Sequence, residues 1–489
     1  MSVTAWMVIA IVLYTGLNLY VGLGLGYKKE ITSSASGYFL GGGINYFVLY
    51  FTTAATWFST WIYMGAAGAF YKSGISFVCA ITWQLVILFL MGYFGVKFWK
   101  LGKKFDYITP GDLLADYYES KALRYVVAII QLAFCIPYIM AQITGVGLAF
   151  MVLTNGAVPY WGGVFYAAIV VGFYVYVGGF RSQAWVDTMQ GIMFTIILWG
   201  AVVILFLRPE INGMHGLFDA VFKKDMSLLT YPGFSDGKYW VWSIYISFFF
   251  IQSFGGFFAP YVWQRMYAAK NVHIITKMAG TLAPFYAFAI MAPVLLIGLG
   301  GSVLMPELAN PDNVLVATMT KYNPYWGVLV VIGILAAGMS TISSILVTAS
   351  SIISVDLIKQ HKKDMSTKQL SVTGQRIVLL ILLIAVCMSL MQIKGIIFLV
   401  FMALSGFAQF FFPAFGVLFW KKATKEGCIA GLIVGCVLTY LCTFVLKNPL
   451  HVMGGFWGLV GNGVTFFAVS LMTRPVSPET QQKFKTVTG

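Results

Sequence analysis

Apolar residues run through this chain in long stretches, separated by short intervals that hold most of its lysine and arginine. A helix needs about 20 apolar residues to cross a bilayer. On that measure the pattern predicts thirteen spans: 4–26, 46–71, 76–98, 124–153, 162–179, 186–207, 239–262, 276–302, 325–354, 376–393, 396–420, 427–446 and 453–472. The first has no basic stretch before it and is longer than a signal-peptide core, so it reads as a retained helix. The expected fold class is an all-α polytopic membrane protein.

Composition agrees with the pattern, since 60% of the 489 residues are hydrophobic and 10% are charged. Charge changes the picture more. A net charge of +15 would suggest a nucleic-acid partner in a soluble protein, but here the cations cluster between spans. Sorted over the thirteen spans, 23 of the 31 Lys and Arg residues, Arg265 among them, fall on one side and 8 on the other. The positive-inside rule then sets the N-terminus outside and the C-terminus in the cytoplasm. The expected location is the cell's inner (plasma) membrane. No interval between spans is long enough for a catalytic domain; the longest, about 208–238, is expected outside the cell.

The candidate chemistry is sparse. All six cysteines (Cys79, Cys135, Cys387, Cys428, Cys436 and Cys442) fall in apolar segments without metal or redox spacing, and the four histidines lie in connecting segments. With no nucleophile–His pair, metal-ligand cluster or phosphate loop, an enzyme is not expected, nor is any cofactor.

Polar residues inside spans carry more information, because an unsatisfied polar group in hydrocarbon costs several kcal/mol. The ninth span holds Ser340, Thr341, Ser343, Ser344, Thr348 and Ser351, of which Ser340, Ser344, Thr348 and Ser351 share one helical face. Neutral hydroxyls are hard ligands suited to an alkali cation, although a small-residue packing face reads the same way. Asp187 is the one carboxylate at or inside a span, with an interfacial pair to Arg181 as the structural alternative. The second and seventh spans are interrupted by Thr-rich and Gly-rich stretches (Thr52 to Thr60, and Gln252 to Pro260) about two hundred residues apart. Such matched interruptions point to an inverted-repeat transporter whose site lies at the midplane, with ordinary glycine-mediated helix packing as the structural alternative.

Along the chain stand Tyr38-Phe39-Leu40-Gly41-Gly42, Met64-Gly65 with Gly68-Ala69, Thr109-Pro110-Gly111-Asp112-Leu113-Leu114 and Gly178-Gly179-Phe180-Arg181. They are followed by Asp187-Thr188-Met189-Gln190, then Pro260 with Gln264-Arg265-Met266-Tyr267, the Ala337 to Ser344 run, and Asp356-Leu357. Together these motifs resemble the sodium:solute symporter family, in the bacterial branch of pantothenate, proline and monocarboxylate carriers. The resemblance implies a leucine-transporter-like 5+5 inverted repeat. The repeats would cover 46–207 and 239–420, with one extra helix before them (4–26), two after (427–472) and a cytoplasmic tail (473–489). It implies a principal sodium site from the carbonyls of Ala55, Phe58 and Ala337 and the side chains of Ser340 and Thr341. It further implies, as in some relatives, a second sodium on Asp187, Ser343 and Ser344 with Ser340 shared. Trp57 departs from the acidic or tyrosine residue that some relatives have there.

The expected partners are therefore sodium, a small organic solute and the bilayer, with no nucleic acid. One charge crossing 100 mV supplies about 2.3 kcal/mol, enough for roughly fifty-fold accumulation of a neutral solute. Symport of a monocarboxylate with one sodium gains nothing from voltage, whereas two sodium ions would make it electrogenic. Candidate solute contacts are Thr53, Thr56, Trp57, Trp61, Gln84, Gln142, Gln252, Ser253 and Gln409, a set without lysine or arginine. It favours a monocarboxylate, a pantothenate-like acid or a zwitterion. Proton coupling through Asp187 on the same fold, and a sensor or channel, are the competing readings.

Overall fold

The computed structural model describes residues 2–154, 156–230, 241–391 and 395–489. The first residues of the expected span 239–262, the last of 376–393 and the side chain of Cys79 lie outside the described residues. Among the described residues the architecture is helical, with a single isolated β-bridge between Ile44 and Ala269. Ten helices among the described residues are long and apolar enough to cross a membrane, or eleven if one bent pair counts as a span.

In chain order the labelled helices are α1 (Val3–Leu19), α2 (Tyr46–Trp57), α3 (Gln84–Phe105), α4 (Pro110–Tyr117), α5 (Lys121–Leu153), α6 (Tyr160–Phe206), α7 (Trp242–Phe258) and α8 (Pro260–Ala268). They continue as α9 (Val272–Leu304), α10 (Pro324–Ser351), α11 (Thr367–Leu390), α12 (Ile396–Phe419), α13 (Lys425–Tyr440), α14 (Gly454–Met472) and α15 (Pro478–Thr488).

Three places depart from uniform spans. The expected span 46–71 is broken: α2 ends at Trp57, Phe58 leaves helical geometry (φ −84°, ψ 52°), and the chain resumes as Trp61–Ala66 and Ala67–Ser73. The expected spans 162–179 and 186–207 form one run, α6, of 47 residues with a kink at Gly179. At 1.5 Å per residue such a run would measure about 70 Å, more than twice a hydrocarbon core of about 30 Å, and the kink divides it. Gly179 is required there: its φ is +55°, and a Cβ would stand 2.4 Å from the Tyr38 carbonyl oxygen. The third departure is the bent pair, where α7 and α8 meet at 44°. Pro260 opens α8 and lacks an N–H to continue the ladder from α7.

Helix α10 is the axis of the molecule, buried almost continuously from Gly327 to Ser351 and packed by α1, α2, α5, α6 and α11. The periphery is the reverse, exposing Val12, Leu13, Ile169, Ile196, Leu383 and Val464, as a surface facing lipid does. At one end the bridge joins the two interrupted segments, with the Ile44 N–H donating to the Ala268 carbonyl (2.9 Å) and the Lys270 N–H to the Ile44 carbonyl (3.0 Å). The start of α2 and the end of α8 therefore lie side by side.

The same end is fastened by α4. Thr109 caps this helix reciprocally with Asp112, and Pro110 takes its first position, which accounts for the Thr-Pro-Gly-Asp motif. Arg124 of α5 then reaches Asp112 at 2.6 Å and Asp356, just past α10, at 2.8 Å. Thr109 Oγ1 donates to Asp356 Oδ1 at 3.0 Å. One guanidinium thus holds three helices together.

Candidate functional site

The break in α2 frees carbonyls that a continuous helix would use internally. Ser340 Oγ lies 3.0 Å from the Ala55 carbonyl and 3.0 Å from the Ala337 carbonyl. Thr341 Oγ1 lies 3.1 Å from the Thr56 carbonyl and 3.2 Å from the Ala337 carbonyl. All of these residues are fully buried. Five neutral oxygens from two helices therefore converge, with the Ala337 carbonyl shared between the hydroxyls. Hard, uncharged oxygens of this kind fit an alkali cation. Phe58 lies at the break itself. The carbonyl of Thr56 joins this cluster although sequence reasoning had not singled it out; the Thr-rich interruption was its signal.

One turn further along α10 stands a second cluster. Asp187 is fully buried. It accepts from Thr52 Oγ1 (2.6 Å), Ser343 Oγ (3.3 Å), Ser344 Oγ (3.4 Å) and the Gln183 side-chain amide. Its cationic partner is Arg265, at 3.4 Å. The alternative pairing with Arg181 is corrected: Arg181 is half-buried and turns toward the Gly41 carbonyl at 3.4 Å.

Arg265 also corrects the charge sorting, which counted it among the cations between spans. It is wholly buried on α8, although hydropathy had assigned it to a polar interval. Its Nη2 donates to Thr56 Oγ1 (2.6 Å), Ser344 Oγ (2.7 Å) and Thr52 Oγ1 (2.9 Å). The neighbouring Gln264 completes the seam, accepting from Thr348 Oγ1 at 2.6 Å and donating to Ser351 Oγ at 3.1 Å. The hydroxyl face of α10 is thus a contact line against α2 above and α8 below. The sequence signal for Arg265 was its place a few residues after an interruption, inside a half-helix.

The remaining candidates divide into satisfied and unsatisfied groups. Thr53 donates to the Leu49 carbonyl (2.7 Å) and Ser253 to the Phe249 carbonyl (2.7 Å). Thr56 bonds within the second cluster. Gln409 bonds the Ser405 carbonyl (3.0 Å) and Asn462 of α14 (3.1 Å), which ties α12 to the C-terminal helices. Gln142 Oε1 accepts the Thr60 N–H at 2.8 Å, just past the break, while its Nε2 has no partner among the described residues. Both amide atoms of Gln84, and Oε1 of Gln252, are likewise buried without one among them. The candidate indoles have partners of their own. Trp57 donates to the Gly256 carbonyl (3.3 Å) and meets Trp83 edge-on at 6.0 Å, and Trp61 meets Phe401 edge-on at 6.5 Å.

Paired interruptions, an oxygen cluster at the first of them and a surface made for lipid define a polytopic membrane transporter of ions and solutes. The sequence pattern of the sodium:solute symporter family matches residues 38–435, and the chain belongs to that family. It is 27% identical over 419 residues to a sodium/pantothenate symporter of Haemophilus influenzae, covering 83% of this chain and 82% of that protein. It is 24% identical over 493 residues to a sodium/proline symporter of Staphylococcus aureus, covering 95% and 92%. Among solved structures, a Na+-coupled sialic acid symporter in a substrate-bound outward-open state superposes with a TM-score of 0.81 at 17% identity, over 96% of this chain and 99% of that one. The fold is shared with that protein. The activity is sodium-coupled solute symport in a multi-pass membrane protein, and the family is one of transporters, not enzymes.

Proposed function

We propose that this protein carries a small organic acid or zwitterion (a monocarboxylate, a pantothenate-like acid or an amino acid) into the cell with sodium, by alternating access across the inner membrane. The observation that carries the reading is the convergence of Ser340 and Thr341 with the carbonyls of Ala55, Thr56 and Ala337 at the break of α2. Phe58 contributes its carbonyl from the break itself. Sodium bound there joins α2 to α10, and its release lets the two part, which couples ion occupancy to the motion of one helix group against the other.

The solute site lies among the unpartnered amides of Gln84, Gln142 and Gln252 and the indoles of Trp57, Trp61 and Trp83. A buried polar group without a partner costs about 1–3 kcal/mol, and a bound solute offsets that cost. Arg265 is committed to Asp187, so a substrate carboxylate is met by helix-end N–H groups and by the sodium ion. Gln409, already bonded to Asn462, acts in packing.

Counting the two halves of α6 and the broken α2 separately supports thirteen crossings, with repeats at 46–207 and 239–420. The excess of cations at one end supports a cytoplasmic C-terminus.

The test is uptake into proteoliposomes over pyruvate, acetate, lactate, proline and pantothenate, with sodium and pH gradients imposed separately. At least one solute is expected to accumulate with an inward sodium gradient alone. Accumulation driven by a pH gradient and indifferent to sodium would select proton coupling instead. Replacing Gln84 by Leu sharpens the solute site: it removes an unpaired buried amide, so it is expected to raise thermal stability while raising the KM for solute.

A further inference from the structure

We infer that Arg265 is a resident cation that fills the second ion site, so that this transporter binds one exchangeable sodium ion, at Ser340 and Thr341. The inference rests on the sodium-symport reading above and sets its ion count.

Four side-chain oxygens surround a single nitrogen. Arg265 Nη2 lies 2.6 Å from Thr56 Oγ1, 2.7 Å from Ser344 Oγ, 2.9 Å from Thr52 Oγ1 and 3.4 Å from Asp187 Oδ2. Asp187 and Ser344 are two of the groups that the family resemblance assigns to a second sodium. A metal ion and a guanidinium nitrogen cannot share these oxygens, because each needs the same lone pairs at contact distance and their like charges repel.

The guanidinium is also held in place from other sides. Its Nη1 donates to the Tyr261 carbonyl at 2.9 Å, and its Cζ stands 5.5 Å from the centre of the Phe180 ring. Gln264, the preceding residue, is fixed to Thr348 and Ser351. An incoming sodium would have to drive a permanently charged group out of this shell into apolar surroundings. Asp187, for its part, has its charge balanced without any ion from solution.

The first cluster differs in this respect. Its five oxygens hold no side-chain cation, so the position that sodium would take there is open to exchange. One exchangeable sodium means that carriage of a monocarboxylate is electroneutral and carriage of a zwitterion moves one charge per cycle.

The deciding experiment is equilibrium binding of radioactive sodium to the purified full-length protein, with sodium as the only probe. Wild-type protein is expected to bind one ion per chain, with affinity reduced but stoichiometry unchanged in Ser340→Ala. Arg265→Ala is expected to bind two, the second lost again in Arg265→Ala/Asp187→Asn. Arg265→Lys and the doubly neutral Asp187→Asn/Arg265→Gln, which leave no buried charge stranded, are expected to bind one, and they carry the test if Arg265→Ala does not fold. Two ions in wild-type protein, one of them lost in Asp187→Asn, overturns the inference and leaves sodium symport standing. A count that stays at one in folded Arg265→Ala overturns it as well. Absence of saturable sodium binding in wild-type protein overturns the symport reading itself.

Discussion

Two polar clusters lie one turn apart on the same face of α10 and are built from the same kind of residue, yet they are finished differently. At Ser340 and Thr341 the hydroxyls face main-chain carbonyls of the broken α2, and the cluster is neutral. At Ser344 the hydroxyl faces a carboxylate from α6 and a guanidinium from α8, and the cluster contains its own ion pair. The first can gain and lose a cation without stranding a charge. The second cannot lose either member cheaply, since a buried charge left without its partner costs far more than a neutral oxygen left without an ion. Hydroxyl spacing alone therefore does not distinguish the two clusters; what the opposing helices supply decides whether a cluster is neutral or carries its own ion pair.

The sharpest break of this contrast is Arg265→Ala measured for stability in sodium-free buffer. It strands Asp187 and is expected to cost about 3–5 kcal/mol, most of it recovered in Asp187→Asn/Arg265→Gln; thermal unfolding of the detergent-solubilised protein reads this. Gly179→Ala tests how Asp187 is delivered. The kink puts the second half of α6 against α2, and forcing a side chain into that backbone conformation is expected to cost about 1–3 kcal/mol before the contact with Tyr38 is counted. The same unfolding measurement applies, and a wild-type midpoint would show that the kink does not need glycine.

Ser340→Ala and Thr341→Ala act on the other cluster. Each removes one oxygen ligand, expected to cost about 1–2 kcal/mol of ion affinity and so to raise the half-saturating sodium concentration roughly five- to thirty-fold. Sodium-dependent uptake measures it, and unchanged sodium dependence in both variants breaks the assignment.

The smallest effect lies outside both clusters. Glu119 accepts hydrogen bonds from Ser477 and Thr480 at the start of α15, and these hold its carboxyl below the usual carboxylate range. A depressed folded-state value means that this contribution to tail docking is present above the ordinary glutamate range and is lost as pH falls through the lowered value. Acid below the ordinary glutamate range is therefore expected to loosen α15, read by limited proteolysis of the tail, and Ser477→Ala to move that loosening to higher pH.

Much of this organisation was legible in the sequence. Hydropathy located the membrane segments because each must satisfy the same local requirement, a run of apolar side chains. The interruption near Thr52 to Thr60 was visible for a related reason, since threonine and glycine there weaken the helix. The hydroxyl face of α10 followed from helical periodicity, and Asp187 stood out as an acid where acids are expensive. Two features were hidden for opposite reasons. Arg265 looked like a loop cation because its half-helix is short and mixed, and hydropathy averages over more residues than α8 contains. Arg181 stood as the alternative partner of Asp187 because it is close in sequence, whereas the partner comes from a helix 78 residues away.

The sequence by itself determined that the chain lives in a bilayer, where its helices weaken, and which hydroxyls share one face of α10. These are properties of single segments, set by side-chain hydrophobicity, periodicity and backbone propensity. Only the tertiary structure decided that Ala55, Thr56 and Ala337 share their carbonyls with two hydroxyls, and that Asp187 is neutralised by Arg265 from within. In a low-dielectric interior a charge is governed by whatever lies within a few ångströms of it, and that neighbourhood is assembled only when α2, α6, α8 and α10 pack together.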